Sequence, residues 1–199
     1  MIIAVFADKK QWKEIKNLET EIKWVLVVSH KQIPAGAAAV FILKEFTAIN
    51  YDTITQPIFI NAVSVTLKEL KAPQNVYRIN GWSGFLQRPS WEIAGLINKD
   101  AESIFKALNK NMVVVPDEPG FIAARIIAMI INEAWYALEE KISSKKDIDI
   151  AMKLGTNYPY GPFEWGQIIG EKNILTLLQK LSAKNKKYLP SPLLKKLKS

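Results

Sequence analysis

The chain contains no cysteine, which excludes disulfides and any reaction that needs a thiolate. It has a single histidine, His30, so a zinc site would have to rely largely on carboxylates, and a structural metal is not expected. No 18-residue window is free of polar side chains, because Arg125, Asn132 and Glu133 interrupt the most apolar stretch. The N-terminal "MIIAVFADKK" has no basic region before its apolar run. No membrane association is expected, and the chain reads as a soluble, cytoplasmic protein. Glycine is also scarce: there are nine, and the first is Gly36.

What is present is enough for a real core: 199 residues, 49% hydrophobic and 23% charged, suit one or two globular domains. The formal net charge of +8 is unevenly spread. Residues 1–140 hold 15 Lys and Arg against 15 Asp and Glu, whereas residues 141–199 hold 12 Lys against 4 acids, which is the whole surplus. Such a surface attracts polyanions, whether nucleic acid, anionic lipid or a phosphorylated cofactor. The plainer reading is a solvated face, and since the lysines form no recognised nucleic-acid motif, nucleic acid is not expected as a partner.

Up to residue 116 the chain alternates short apolar runs with amphipathic segments, the pattern of successive βα units. The strand candidates are "IIAVFAD", "KWVLVVS", "AAVFILK", "PIFINAV", "NVYRING" and "MVVVPD". Between them, Trp12, Ile15 and Leu18, and later Ile104, Phe105 and Leu108, recur at helical spacing. The expected fold is α/β, a truncated Rossmann-like, mainly parallel sheet over residues 1–116, followed by an all-α domain over 117–199. In the helical part, Asp117 can cap a long helix with Pro119 in its first turn, Ser143 or Ser144 can cap the next, and Gly155 can stop it. "YPYGPFEW" reads as architecture, with Gly155, Pro159, Gly161 and Pro162 at helix ends, Phe163 packed between helices, and Glu164 favouring a helix dipole.

Four ordered motifs, "PGFIAARII", "NEAWYALEE", "DIDIAMKLGTNYPYGPFE" and "YLPSPLLKKL", resemble the C-terminal domain of 3-hydroxyacyl-CoA dehydrogenases over nearly all of residues 117–198. The resemblance implies a Rossmann domain with a helical dimerisation domain, an NAD cofactor, and oxidation of the 3-hydroxyl of an acyl-CoA. It also implies a homodimer through the helical domain and an acyl-CoA-like ligand.

The same resemblance extends to three segments that carry the family's site residues. "FINAVSVTLKEL" is similar to the stretch with a substrate-binding serine, "NVYRINGWSGFLQRPSWEI" to the stretch with the catalytic His and Glu, and "PGFIAAR" to the stretch with a substrate-binding Asn. The serine position becomes Val63, with Ser64 beside it. The His position becomes Asn80, the Glu is kept as Glu92, and the Asn position becomes Ala124. An amide cannot take the hydroxyl proton, and Val63 and Ala124 offer no polar side-chain atom. Ser64 could substitute after a small backbone shift, but adjacent strand residues point to opposite faces. His30 falls at the cofactor edge, as an ordinary strand-end residue or a relocated base. Glu92 either faces a remnant pocket or pairs with Arg88 or Arg78. Trp82, Phe85 and Trp91 could fill space vacated by a cofactor, pack at a subunit contact, or bind a flat ligand.

Only glycine lets backbone approach a pyrophosphate at a helix N-terminus, and "IIAVFADKKQWKEI" runs straight from strand to helix with Asp8, Lys9 and Lys10 in the turn. The second strand ends in Ser29 and His30, without an acidic residue for an adenosine ribose. The expectation is therefore a degenerate member with no cofactor, retaining dimerisation and acyl-CoA or partner binding. The alternative is a remodelled NAD-dependent oxidoreductase acting on 3-hydroxyacyl-CoA or a related hydroxy acid.

Overall fold

The computed structural model describes residues 1–44 and 51–197; the last two residues of the basic tail, Lys198 and Ser199, lie outside the described residues. Two compact units follow each other, Met1–Phe121 and Ile122–Ser199.

The first unit is a seven-stranded sheet in the order β2-β1-β3-β4-β5-β6-β7. Its strands are β1 (Ile2–Phe6), β2 (Lys23–Leu26), β3 (Ala39–Ile42), β4 (Ile58–Asn61), β5 (Val76–Ile79), β6 (Ser90–Ala94) and β7 (Asn111–Val114), with helices α1 (Lys9–Lys16), α2 (Leu67–Leu70) and α3 (Lys99–Ala107). Every neighbouring pair is parallel except β5 with β6. Alternation along the central strands sorts side chains onto two faces. Ile3, Val5, Phe41, Phe59, Tyr77 and Ile79 pack on one side with Ile15, Ile104 and Phe105 from α1 and α3. Ala4, Phe6, Val40, Ile42, Ile58 and Ile60 form the other core.

Strand β6 is absent from the sequence-based strand set. It follows a segment rich in Trp, Gly and Pro that reads as loop, and its period-2 signal is short: only Trp91 and Ile93 turn inward before Ala94. Trp91 lies in the core, edge-on to Phe41 and Phe105, with its indole N–H donated to the Leu86 carbonyl. Trp82 and Phe85 are buried as well and meet edge to face. A flat-ligand role for the three rings is corrected by this burial, since they pack within the unit.

The second unit contains α4 (Ala123–Glu139), α5 (Lys145–Thr156), α6 (Pro162–Ile169), α7 (Glu171–Ser182) and α8 (Pro192–Lys196). Ala124, Ile127, Ala128, Ile131 and Trp135 recur every three or four residues on the buried face of α4. Trp135 meets Phe163 of α6 edge-on. Asn132 donates its amide to the Leu189 carbonyl and accepts from the Ser191 N–H, which fixes the chain before α8.

Two helix limits differ from expectation. Helix α4 starts at Ala123 and not at residue 119, because Gly120 and Phe121 both take positive φ, 92° and 48°, which interrupts a helix. Asp117 therefore caps another helix, accepting the Leu67 and Lys68 amides of α2. Helix α5 runs through Gly155 to Thr156, and Asn157 in the left-handed region, φ 56°, terminates it. Its N-cap is Ser144, which accepts from the Asp147 N–H.

Candidate functional site

In an open α/β sheet the ligand crevice lies at the carboxyl ends of the strands where the strand order reverses. Here that point is β1, flanked by β2 and β3. Directly after β1, Asp8 caps α1 by accepting the Gln11 N–H, and the Gln11 side chain accepts the Asp8 N–H in return. Gln11 is buried and its amide nitrogen also donates to the carbonyls of Leu43 and Gly81. Asn61, at the end of β4, connects the same two segments, donating to Leu43 O and accepting from Gly81 N. Gly81 is needed there: a Cβ would lie 2.9 Å from the Asn61 Cβ. In this arrangement the turn does not fit a pyrophosphate, since a carboxylate occupies the helix N-terminus and the Gln11 amide fills the gap behind it.

The next layer is set by the antiparallel register of β5 and β6, Arg78 opposite Ala94 and Ile79 opposite Ile93. One step further, that register brings Asn80 to Glu92. The Asn80 amide donates to a Glu92 carboxylate oxygen at 3.4 Å, and the Asn80 carbonyl oxygen is buried without a hydrogen-bond partner. Of the two arginines suggested for Glu92, Arg78 is taken elsewhere. Arg88 stacks on Phe85, and burial lowers its pKa while the Glu92 charge opposes that shift.

Arg78 is fully buried. It pairs with Asp117 at 2.6 Å, donates to the carbonyls of Ala62, Val63 and Glu118, and lies over the Phe121 ring. Burial lowers its pKa, and the Asp117 carboxylate opposes that. It thus ties the loop after β4 to residues 117–121, and the Gly120 N–H adds a bond to Val63 O. Val63 is buried and Ser64 half-buried, and both lie in bends beyond the end of β4. The opposite-face argument about Ser64 therefore does not apply, because pleat alternation ends with the strand at Asn61.

Glu14 of α1 holds the segment that follows β5. One carboxylate oxygen accepts the Gly84 N–H at 2.8 Å, the other is buried without a partner, and desolvation raises its pKa above the usual range. His30 opens a short 3₁₀ turn beyond β2, with its ring 5.6 Å from that of Phe6. Ala124 is buried in α4 of the second unit. The structure thus joins Asn80 with Glu92 and holds Val63 and Ser64 in one fixed loop. Gln11, Asn61 and Asp117 were not expected at the site, and Arg78 was expected only as a partner for Glu92. Only Asp8 and Gln11 carried a local signal, the reciprocal spacing of a capping box. Among the described residues no group of three His, Cys, Asp or Glu could hold a metal ion, and no helix is long and apolar enough to cross a membrane.

A sheet that reverses its strand order at β1 and has one antiparallel pair defines a Rossmann-type α/β class, and solved structures share it. FadB2 of M. tuberculosis superimposes with a TM-score of 0.74 at 16% identity, covering 98% of this chain and 92% of that one. The family model for 3-hydroxyacyl-CoA dehydrogenase, C-terminal domain, matches residues 120–199. The 3-hydroxyadipyl-CoA dehydrogenase of Escherichia coli K12 is 46% identical over 88 residues, 43% of this chain and 18% of that relative. Over this region the chain is similar to the C-terminal domain of 3-hydroxyacyl-CoA dehydrogenases. It spans between 18% and 38% of the length of the curated relatives it matches.

These relatives correct the expectation of no cofactor. They are dehydrogenases by name, among them a 3-hydroxybutyryl-CoA dehydrogenase of Clostridioides difficile, 40% identical over 94 residues, 46% of this chain and 34% of that relative.

Proposed function

We propose that this chain is a 3-hydroxyacyl-CoA dehydrogenase-like protein in which proton transfer is degenerate, so that 3-hydroxyacyl oxidation of the usual kind is lost while ligand binding and self-association remain. The observation that carries this reading is Asn80, an amide held against Glu92 at 3.4 Å. Neither amide atom titrates near neutral pH, so Asn80 can orient a hydroxyl but cannot take its proton. NAD(H) is the cofactor to which the relatives point, and an acyl-CoA the ligand class. Exposed Ile126, Ile150 and Leu154 on the helical unit support a homodimer through that unit. Residues 1–116 as the cofactor domain, 117–199 as the dimerisation domain, and a cytoplasmic location belong to the same proposal.

A second reading is favoured by the Glu92 carboxylate beside the unpartnered Asn80 oxygen. Glu92, oriented by the Asn80 N–H, would take the hydroxyl proton as the base, in a remodelled NAD-dependent oxidoreductase.

The test is NADH-linked reduction of acetoacetyl-CoA by the wild type, Glu92→Gln, Asn80→His, and Asn80→His with Glu92→Gln. The first reading expects no turnover by the wild type, a gain on Asn80→His, and loss of that gain when Glu92 is also replaced. Wild-type turnover that Glu92→Gln abolishes would sink it and establish the second.

A further inference from the structure

Asn80 is followed by Gly81, the one Asn–Gly step in the chain. In such a step glycine has no side chain to keep its backbone nitrogen away from the preceding amide carbon, so ring closure to a succinimide is easier than with a bulkier neighbour. The fold nevertheless demands glycine here, because a Cβ on Gly81 would lie 2.9 Å from the Asn61 Cβ. Asn61, at the end of β4, therefore selects the reactive neighbour.

The same residue restrains it. The Gly81 N–H donates to Asn61 Oδ1 at 3.0 Å, and the Gly81 carbonyl accepts from the Gln11 amide at 3.1 Å. The Asn80 amide nitrogen, which is the leaving group, donates to Glu92 at 3.4 Å, and both Asn80 and Gly81 are buried. Attack of the Gly81 nitrogen on Asn80 Cγ must break the bond to Asn61 and turn the amide away from Glu92.

We propose that Asn80–Gly81 is a deamidation site that the folded sheet unit holds closed through Asn61 and Glu92. The bond from Gly81 N to Asn80 Cγ forms as the Cγ–Nδ2 bond breaks, and the Gly81 amide proton leaves on ammonia. Water then opens the ring to aspartate or isoaspartate, with no oxidant or cofactor involved. Either product places a second carboxylate beside Glu92, where two like charges oppose each other. The site is independent of any turnover of an acyl-CoA, because its readout is the mass of one peptide.

The experiment is incubation of the full chain in heavy-oxygen water at neutral pH, followed by peptide mapping with mass spectrometry. Heavy-oxygen incorporation at position 80 is followed for the wild type, folded and in urea, and for folded Asn61→Ala, Asn61→Asp and Glu92→Ala. The wild type is expected to react slowly when folded and fast in urea. Asn61→Ala should raise the folded rate by about tenfold, the scale of one lost hydrogen bond. Asn61→Asp keeps an acceptor for the Gly81 N–H and should stay near the wild type. Glu92→Ala frees the leaving amide and should also react faster; it carries the test if circular dichroism shows Asn61→Ala unfolded. A folded wild type as fast as the urea sample overturns the proposal. So does a urea sample that takes up no label at position 80, or a folded rate that neither Asn61→Ala nor Glu92→Ala raises.

Discussion

Replacing Asp117 with Ala should destabilise the sheet unit more than any ordinary surface change. Arg78 is 0% exposed and its partner carboxylate 29% exposed. Removing the carboxylate leaves a buried guanidinium facing only the carbonyls of Ala62, Val63 and Glu118. The Leu67 and Lys68 amides at the start of α2 lose their acceptor at the same time. Breaking a buried pair by deleting one partner costs about 3–5 kcal/mol. The two amide bonds are weaker and solvent can reach them, so the low end of that range is the expected loss. Arg78→Met alone strips donors from three carbonyls and should cost a similar amount. The double variant should cost clearly less than the sum, since no uncompensated charge remains. Urea denaturation followed by far-UV circular dichroism measures all three. A loss under about 1 kcal/mol for Asp117→Ala, or strict additivity, would refute the claim that this pair organises the loop after β4.

Glu14→Gln tests a half-buried carboxyl group. Desolvation raises the Glu14 pKa, so the folded state holds its proton more tightly than the unfolded state. That contribution is fully present below the unfolded value of about 4.3 and is lost as pH rises through the raised folded pKa. The wild type should therefore lose stability relative to Glu14→Gln across that interval, with the variant, which keeps an acceptor for Gly84 N–H, more stable at neutral pH; equal melting curves throughout would contradict this. Gly161→Ala should destabilise the helical unit by about 1–3 kcal/mol, because the new Cβ would overlap the Asp149 side chain. Asp149 cannot easily move aside, since it is buried and accepts the Phe163 N–H at 2.8 Å; a denaturation midpoint unchanged by the substitution would show otherwise. At the Asn80–Glu92 pair, the gain of acetoacetyl-CoA reduction on Asn80→His remains the most direct measure of what the amide removed.

Local patterning by itself determined the strand-rich first part, the helical second part, and the amphipathic helices α1, α3 and α4, because their apolar periods of two and 3.6 are written into neighbouring residues. It also determined which side chains are missing: no histidine at position 80, no glycine between β1 and α1, no polar atom at 63 or 124. The tertiary structure decided where the rest meet. Asn80 reaches Glu92 only through the antiparallel register of β5 and β6, and β6 itself is too short to announce its period. Arg78 finds Asp117, 39 residues away, because the sheet brings the end of β5 to the segment that leaves β7. Gln11 closes on Leu43 and Gly81 because α1 returns across the carboxyl edge of β3 and β5. Hydrogen-bond partners of this kind are set by folded geometry over long sequence separation, so the residues that shape the turn and its loop became visible only once the sheet was assembled.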